Sequence, residues 1–203
     1  EYDAVGAVVA TVDPSGGRTV TEYDALWRPV AVVDALGERT EQAYDGAGAV
    51  VSETDALGYV TAMAYDEMGR LVSVTSPAGS VTEHGYDPAG NRTSTTDARG
   101  LVMRWEFDAL NRPVAQVAPD GGRTITAYDA VGRVTSVTDP LGHQTVTVYD
   151  ALGRAVSVTD PEGFTTELAY DPVDNQVSVT SPRGGVSRLA YDAMNRVVAQ
   201  TDA

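Results

Sequence analysis

Lysine and cysteine are both missing from the 203 residues, and histidine and phenylalanine occur only twice each. The lack of cysteine removes disulfides, thiolate nucleophiles and cysteine-based zinc sites together. It leaves the compartment open, because a cysteine-free protein can be secreted or cytosolic. Positive charge is also short: 14 basic residues, all Arg, face 29 acids for a formal charge of −15. That balance excludes the basic footprint of a nucleic-acid binder and argues against attachment to an anionic membrane surface. No run of about 18 apolar residues exists to span a bilayer. The opening EYDAVGAVVATVD has no basic n-region and contains acids, so it does not read as a signal peptide. With 42% hydrophobic and 21% charged residues, the chain is too apolar to be disordered.

What is present is a repeat. Tyr-Asp recurs from Tyr2-Asp3 through Tyr23-Asp24, Tyr44-Asp45, Tyr65-Asp66 and Tyr86-Asp87 to Tyr128-Asp129, Tyr149-Asp150, Tyr170-Asp171 and Tyr191-Asp192. Phe107-Asp108 fills the single gap, so ten copies stand at a constant 21-residue interval without insertion or deletion. Surface loops normally tolerate insertions, so strict spacing predicts units that stack in register. Each unit carries two turn signals about ten residues apart, such as Asp66-Glu67-Met68-Gly69 and Asp139-Pro140-Leu141-Gly142. Asp first, Pro often second and Gly fourth is the preference of a type I turn, with Gly supplying the left-handed conformation. The second turn keeps its Gly from Gly16 to Gly184; the first exchanges it for Asn111, Asn195 and Asp174, which also tolerate that region, and for Trp27, which does not fit the pattern.

Between the turns lie five- or six-residue runs rich in Val and Thr, such as Leu71 to Thr75 and Gln144 to Tyr149, with the composition and length of strands. No window shows helical spacing of apolar residues. Alternation assigns Val72 and Val74 to one apolar face. One unit is therefore expected to be a β-hairpin, and the chain an all-β antiparallel meander of about 19 or 20 strands. At about 4.8 Å per strand such a ribbon extends on the order of 90 Å, and its right-handed twist should coil it into a curved wall. The whole of 1–203 reads as one repeat array of about nine to ten units with no separate catalytic or toxin domain. Both ends fall inside a unit, so the chain is expected to be a piece of a longer one.

The pattern Tyr-Asp-x-x-Gly-Arg-Val/Leu, clearest at Tyr65 to Leu71 and Tyr128 to Val134, resembles the YD repeat of the Rhs family. The resemblance covers essentially the whole chain; the Arg is the loose element, present at Arg28, Arg70, Arg112, Arg133, Arg154 and Arg196. Similar proteins include Rhs polymorphic toxins, C components of insecticidal toxin complexes, wall-associated repeat proteins and teneurins. The resemblance implies a β-hairpin ribbon wound into part of a hollow shell that protects a C-terminal toxin or effector domain before delivery. The implied partners are further repeats of its own chain, that enclosed domain and a secretion or delivery apparatus. The implied location is secreted or cell-surface. The alternative is an adhesion module or a cell-wall or carbohydrate-binding scaffold, with glycans as partners. No Rhs core segment with autoproteolytic aspartates and no variable toxic domain lies within this stretch.

Residue types capable of chemistry are weighed against structural roles. Each Asp-rich turn offers one carboxylate, whereas calcium loops converge several oxygens, and Ser76, Ala118 and Ser181 replace Asp at the second turn. Turn capping is the reading. His84 and His143 occupy different repeat positions, and no Cys, Lys or Ser-x-x-Lys pattern completes a catalytic set. Seventeen of the 19 Asp fall at the two turn positions, which serves the fold rather than a glycosidase pair. Glu53, Glu83, Glu106 and Glu167 read as solvated strand residues. The Tyr series is expected to form a line of rings, one per hairpin, stacked along the wall. No catalytic, cofactor-binding or metal-ligating residue is assigned, and the chain is read as a non-enzyme.

Overall fold

The computed structural model describes residues 1–3 and 6–202. The corner expected at Asp3-Ala4-Val5-Gly6 therefore lies partly outside the described residues, as does Ala203. The chain divides into two units, Glu1–Val102 and Met103–Ala203.

The first unit holds β1 (Ala10–Val12), β2 (Arg18–Tyr23), β3 (Pro29–Val33), β4 (Arg39–Tyr44) and β5 (Val50–Thr54). It continues with β6 (Val60–Tyr65), β7 (Leu71–Thr75), β8 (Val81–Tyr86) and β9 (Arg92–Thr96). The second holds β10 (Val102–Phe107), β11 (Pro113–Val117), β12 (Arg123–Tyr128), β13 (Val134–Thr138) and β14 (Gln144–Tyr149). After these come β15 (Ala155–Thr159), β16 (Thr165–Tyr170), β17 (Gln176–Thr180), β18 (Val186–Tyr191) and β19 (Val197–Thr201). Within each unit every strand pairs antiparallel with its sequence neighbour. The fold is the all-β hairpin meander that the 21-residue period predicts, and no described residue is helical.

The two corners of a unit are not equivalent. At the corner after Thr75, strands β7 and β8 keep strict register, Thr75 opposite Val81. At the Tyr-Asp corner, Ala64 lies opposite Ser73 but Tyr65 opposite Leu71, which leaves Val72 as an extra residue. The same slip recurs at Tyr128, opposite Val134, with Thr135 inserted. A bulge of this kind bends the strand and re-aims a side chain, and here it falls at the conserved spacing of the ring. It also interrupts simple alternation at Val72, so face assignment by period holds for Val74 and not for its partner in the sequence reading.

Burial is sparse. Among described residues only Ala10, Ala31 and Ala115 are buried, at 1%, 3% and 3% exposure. The total surface is 13000 Å², against roughly 9,000 Å² for a compact monomer of this mass. Stability therefore rests on ladder hydrogen bonds and cross-strand pairs more than on an enclosed core.

The three buried alanines have one cause. Glu22, Ala31 and Glu41 lie in register across β2, β3 and β4, and Arg39 ion-pairs with Glu22 and Glu41 at 2.7 Å. The Arg39–Glu22 bridge joins strands on either side of β3, so it crosses above Ala31. Arg123 and Glu106 bridge at 2.6 Å across Ala115 in the same way, and Arg18 and Glu1 do so beside Ala10. Glu at one position and Arg 17 residues on occur together in these three copies and in no other. The residue between them is then Ala; in the other complete copies it is Ser (Ser52, Ser73, Ser94, Ser136, Ser157 and Ser178). Only a small side chain fits beneath the bridge. Ala115→Leu should destabilise by about 1–3 kcal/mol through overpacking. Arg123→Ala should cost less, since its side chain is 45% exposed and solvent screens the pair. Urea unfolding midpoints of the two variants give the comparison; an equal or larger shift for Arg123→Ala contradicts it.

Candidate functional site

The repeated Tyr-Asp corner concentrates the chain's polar chemistry. Asp108 heads one such corner. Its Oδ1 accepts backbone N–H bonds from Leu110 at 2.8 Å and Arg112 at 3.1 Å. Its Oδ2 accepts from Arg112 Nε at 2.7 Å and Nη2 at 2.6 Å. The guanidinium then reaches into the next repeat: Nη1 donates to the Asp129 carbonyl at 3.1 Å, and Cζ lies 4.6 Å from the centre of the Tyr128 ring. The Tyr128 hydroxyl donates back to the Pro113 carbonyl at 2.9 Å. One Arg is thus held by its own Asp while gripping the ring and backbone of the following hairpin. A guanidinium lies over the next ring likewise for Arg28 and Tyr44, Arg70 and Tyr86, Arg133 and Tyr149, and Arg154 and Tyr170, at 4.5 to 4.8 Å.

This replaces the expected ring-on-ring ladder. The rings do recur once per hairpin, but in these five repeats the face of the Tyr is met by a guanidinium. Trp27 supplies a variant. The copy before Tyr23 has Ala7 where others have Arg, and the Trp27 ring stands 6.3 Å from that of Tyr23 at 47°. Its backbone takes φ 63°, the left-handed position that Gly fills in most copies. Asn91 and Asn175 keep half of the clamp: each side-chain amide donates to its own Asp, Asp87 or Asp171, at 2.9 Å. The Asn175 amide also donates to Asn195 Oδ1 in the next corner at 3.0 Å.

The corner carboxylates are committed to this work. Asp66 lies below the ordinary carboxylate value, held there first by the Arg70 backbone N–H and then by its guanidinium. For Asp108 the Arg112 side chain is the larger cause, and for Asp87 the Asn91 side chain. The second corner is capped alike: Asp139 accepts from the Leu141 and His143 amides at 2.8 Å. Ser76 and Ser181 cap one amide each. Ala118 has no acceptor, and Asp120 two residues on takes the Gly122 N–H at 2.9 Å instead. No cluster of three or more His, Asp or Glu fit to hold a metal occurs among the described residues.

The two histidines have separate local partners. His84 Nδ1 lies 3.0 Å from Thr95 Oγ1, and burial lowers its pKa. His143 Nδ1 meets Asp139 Oδ2 at 3.0 Å. Of the four glutamates read as solvated, Glu106 belongs to the bridge over Ala115 and Glu53 accepts from Gln42 at 3.1 Å. Glu53 and Gln42 also line a cleft of about 380 Å³ with Val32, Thr40, Tyr59 and Thr61. The repeat pattern gave no signal for it, because it arises where Gln and Glu replace apolar residues on neighbouring strands.

The RHS Repeat family model matches residues 2–41, 44–81, 69–102, 86–124, 128–165, 149–186 and 170–203. The chain belongs to the RHS repeat family. Among solved structures, the RHS array resembles the TcdB2-TccC3-TEV crystal structure over 99% of its length, with a TM-score of 0.68 and 20% identity. TcdB2-TccC3 matches over 99% with a TM-score of 0.69 and 19% identity. The Photorhabdus luminescens Tc holotoxin pore carrying a TccC3 mutation matches over 99% with a TM-score of 0.68 and 19% identity. At that identity the likeness establishes the fold. The array spans 12% of each of those chains. A comparison with curated proteins finds no matching sequence relative.

Two outcomes test the clamp. Phe107 lacks the hydroxyl that in six repeats bonds a carbonyl 15 residues back. Phe107→Tyr should therefore stabilise by about 0.5–1.5 kcal/mol, read as a raised urea midpoint; an unchanged or lowered midpoint shows that the hydroxyl-to-carbonyl bond adds nothing to the joint. The values of corner carboxylates such as Asp66, Asp108 and Asp129 are lowered on folding, so their contribution is complete above the unfolded value of about 4 and lost as pH falls through the lower folded values. Corner amides such as Met68 and Arg70 should lose exchange protection, relative to strand amides, from about pH 4 downward. In Asp66→Asn that pH step should vanish at this corner alone.

Proposed function

We propose that this RHS array is a wall segment of a shell that encloses a toxin or effector domain until delivery. One observation carries the reading: the recurrent Asp, Arg and Tyr of the repeat join hairpin to hairpin, so the repeated chemistry is spent on continuity of the wall. An unbroken backbone ladder with clamped joints resists local opening, which is what keeps solvent and proteases from contents. Membership of the RHS family and the likeness to TccC3-containing structures support the assignment. On this reading the array is structural and not an enzyme, and residues 1–203 are one run of repeats within a larger exported protein. Its partners are then further repeats, the enclosed domain and a delivery apparatus, and it acts outside the cell. The acidic surplus favours a basic content, because the summed field of a wall attracts opposite charge.

A second reading, an adhesion scaffold that binds glycans, is favoured by the cleft at Gln42, Glu53 and Tyr59. Its amide, carboxylate, hydroxyls and ring offer what a sugar's hydroxyls and C–H face require.

Limited proteolysis of the full-length parent protein separates the two. Enclosure predicts that non-repeat sequence downstream of the array is cut at least about tenfold more slowly in the intact protein than as an isolated fragment. Equal cutting rates overturn it. Binding on a glycan array that Glu53→Gln abolishes would move the assignment to adhesion.

A further inference from the structure

The register between successive hairpins stops short of the Tyr-Asp rim. Strands β5 and β6 pair from Thr54 opposite Val60 to Ser52 opposite Ala62. Strands β7 and β8 pair likewise from Thr75 opposite Val81 to Ser73 opposite Glu83. Beyond those pairs two side-chain links close the rim. One is the Tyr hydroxyl on a carbonyl 15 residues back, as Tyr86 donates to Leu71 at 2.8 Å. The other is the guanidinium over the ring, as Arg70 lies 4.7 Å from the centre of Tyr86.

One seam inside the first unit has neither link. Ala49 stands where a clamp would place Arg. The Tyr65 hydroxyl turns to Met63 Sδ on its own strand at 3.9 Å, and not to the Val50 carbonyl. Asp45 caps the Ala47 and Ala49 amides through Oδ1, both at 2.9 Å, but holds no Arg as Asp66 holds Arg70. Among the described residues, every other joint lying wholly within one unit keeps at least one link. Arg28, Arg70, Arg112, Arg133 and Arg154 supply the guanidinium, and Tyr23 and Tyr191 supply the hydroxyl.

A second feature loosens the same corner. The residue after Asp45 is Gly46, where neighbouring corners carry Ala25, Glu67 and Pro88. Its backbone is not left-handed, and nothing lies within 4 Å of where a Cβ would stand. Neither turn geometry nor packing calls for glycine there, so its effect is added backbone freedom. On the other side the corner is fastened: Arg28 Nη1 donates to the Asp45 carbonyl at 3.2 Å. The looseness is thus confined to the line between the Asp45 and Asp66 corners.

We propose that this seam is a flexing joint of the wall, where the rim ends of β5 and β6 part and reclose more often than those of a clamped joint. The register from Ser52 to Thr54 holds the rest of the two strands together, so the motion is a local splaying and not a break in the sheet. The inference does not depend on what the array encloses.

Hydrogen–deuterium exchange of the full-length parent protein tests it, read by mass spectrometry on overlapping peptides. After correction for intrinsic rates, the rim-side amides of Val51 and Met63 should exchange at least about tenfold faster than those of Val72 and His84, one repeat on. Ala49→Arg should install the missing clamp between Asp45, the Tyr65 ring and the Asp66 carbonyl, and bring the two seams within about threefold of each other. Arg70→Ala should open the neighbouring seam and raise exchange at Val72 and His84 by about tenfold. Equal rates in the parent, a folded Ala49→Arg protein whose seam exchanges as before, or an Arg70→Ala seam that stays protected overturns the proposal. If Ala49→Arg does not fold, Gly46→Ala decides: slower exchange at Val51 supports the joint, and an unchanged rate overturns it.

Discussion

A sheet with almost nothing buried depends on how each hairpin is fastened to the next, and here that fastening is the Asp-Arg-Tyr clamp. Backbone hydrogen bonds give the strands affinity for one another but little preference for register, since a slipped ladder forms as many bonds. The clamp supplies the preference. Arg112 is fixed by Asp108 on its own corner, so it meets the Tyr128 ring and the Asp129 carbonyl only when the hairpins are aligned. The bulge at Tyr128 places the ring where the guanidinium arrives. Bridges such as Glu106–Arg123 make a second register lock across three strands.

The use of arginine rather than lysine at the clamp follows from the same geometry. A clamp residue must fork onto a carboxylate, donate to a carbonyl and lie flat on a ring. A guanidinium does all three, and a compact ammonium on a flexible stem does not. Six of the 14 basic residues occupy the clamp position and three more complete the bridges over Ala10, Ala31 and Ala115. The acidic excess has a similar origin, because a capping Asp is written into most corners whereas an Arg stands at only some of them.

Much of this was legible in the sequence. The 21-residue interval predicted hairpins, the Asp-x-x-Gly signals predicted left-handed corner residues, and Gly142 at φ 87° and Asn111 at φ 60° bear that out. The period also located the rings, but what lies on them was misread, because stacking was inferred from the Tyr positions without the Arg five residues after the preceding Tyr. Strict alternation failed at Val72, since a bulge consumes one residue without leaving a compositional mark. The co-occurrence of Glu and Arg 17 apart was visible in the sequence, yet it acquires meaning only once register places Ala31 between them. The cleft beside Glu53 was beyond reach, as it forms from residues of several strands that share no motif.

Each clamp spans from one repeat to the next and no farther: Arg112 contacts residues 4 before it and 17 after it. The five joints with an Arg over a Tyr are therefore alike in kind, and their contacts map onto one another by shifts of 21 residues or multiples of it. Excising or duplicating a whole unit between two such joints rejoins an Asp-Arg pair to a Tyr-Asp corner of the same kind. A change of one or two residues misaligns every lock beyond it. Length in such an array is quantised: it can evolve by steps of one hairpin, and the wall can be made larger without being redesigned.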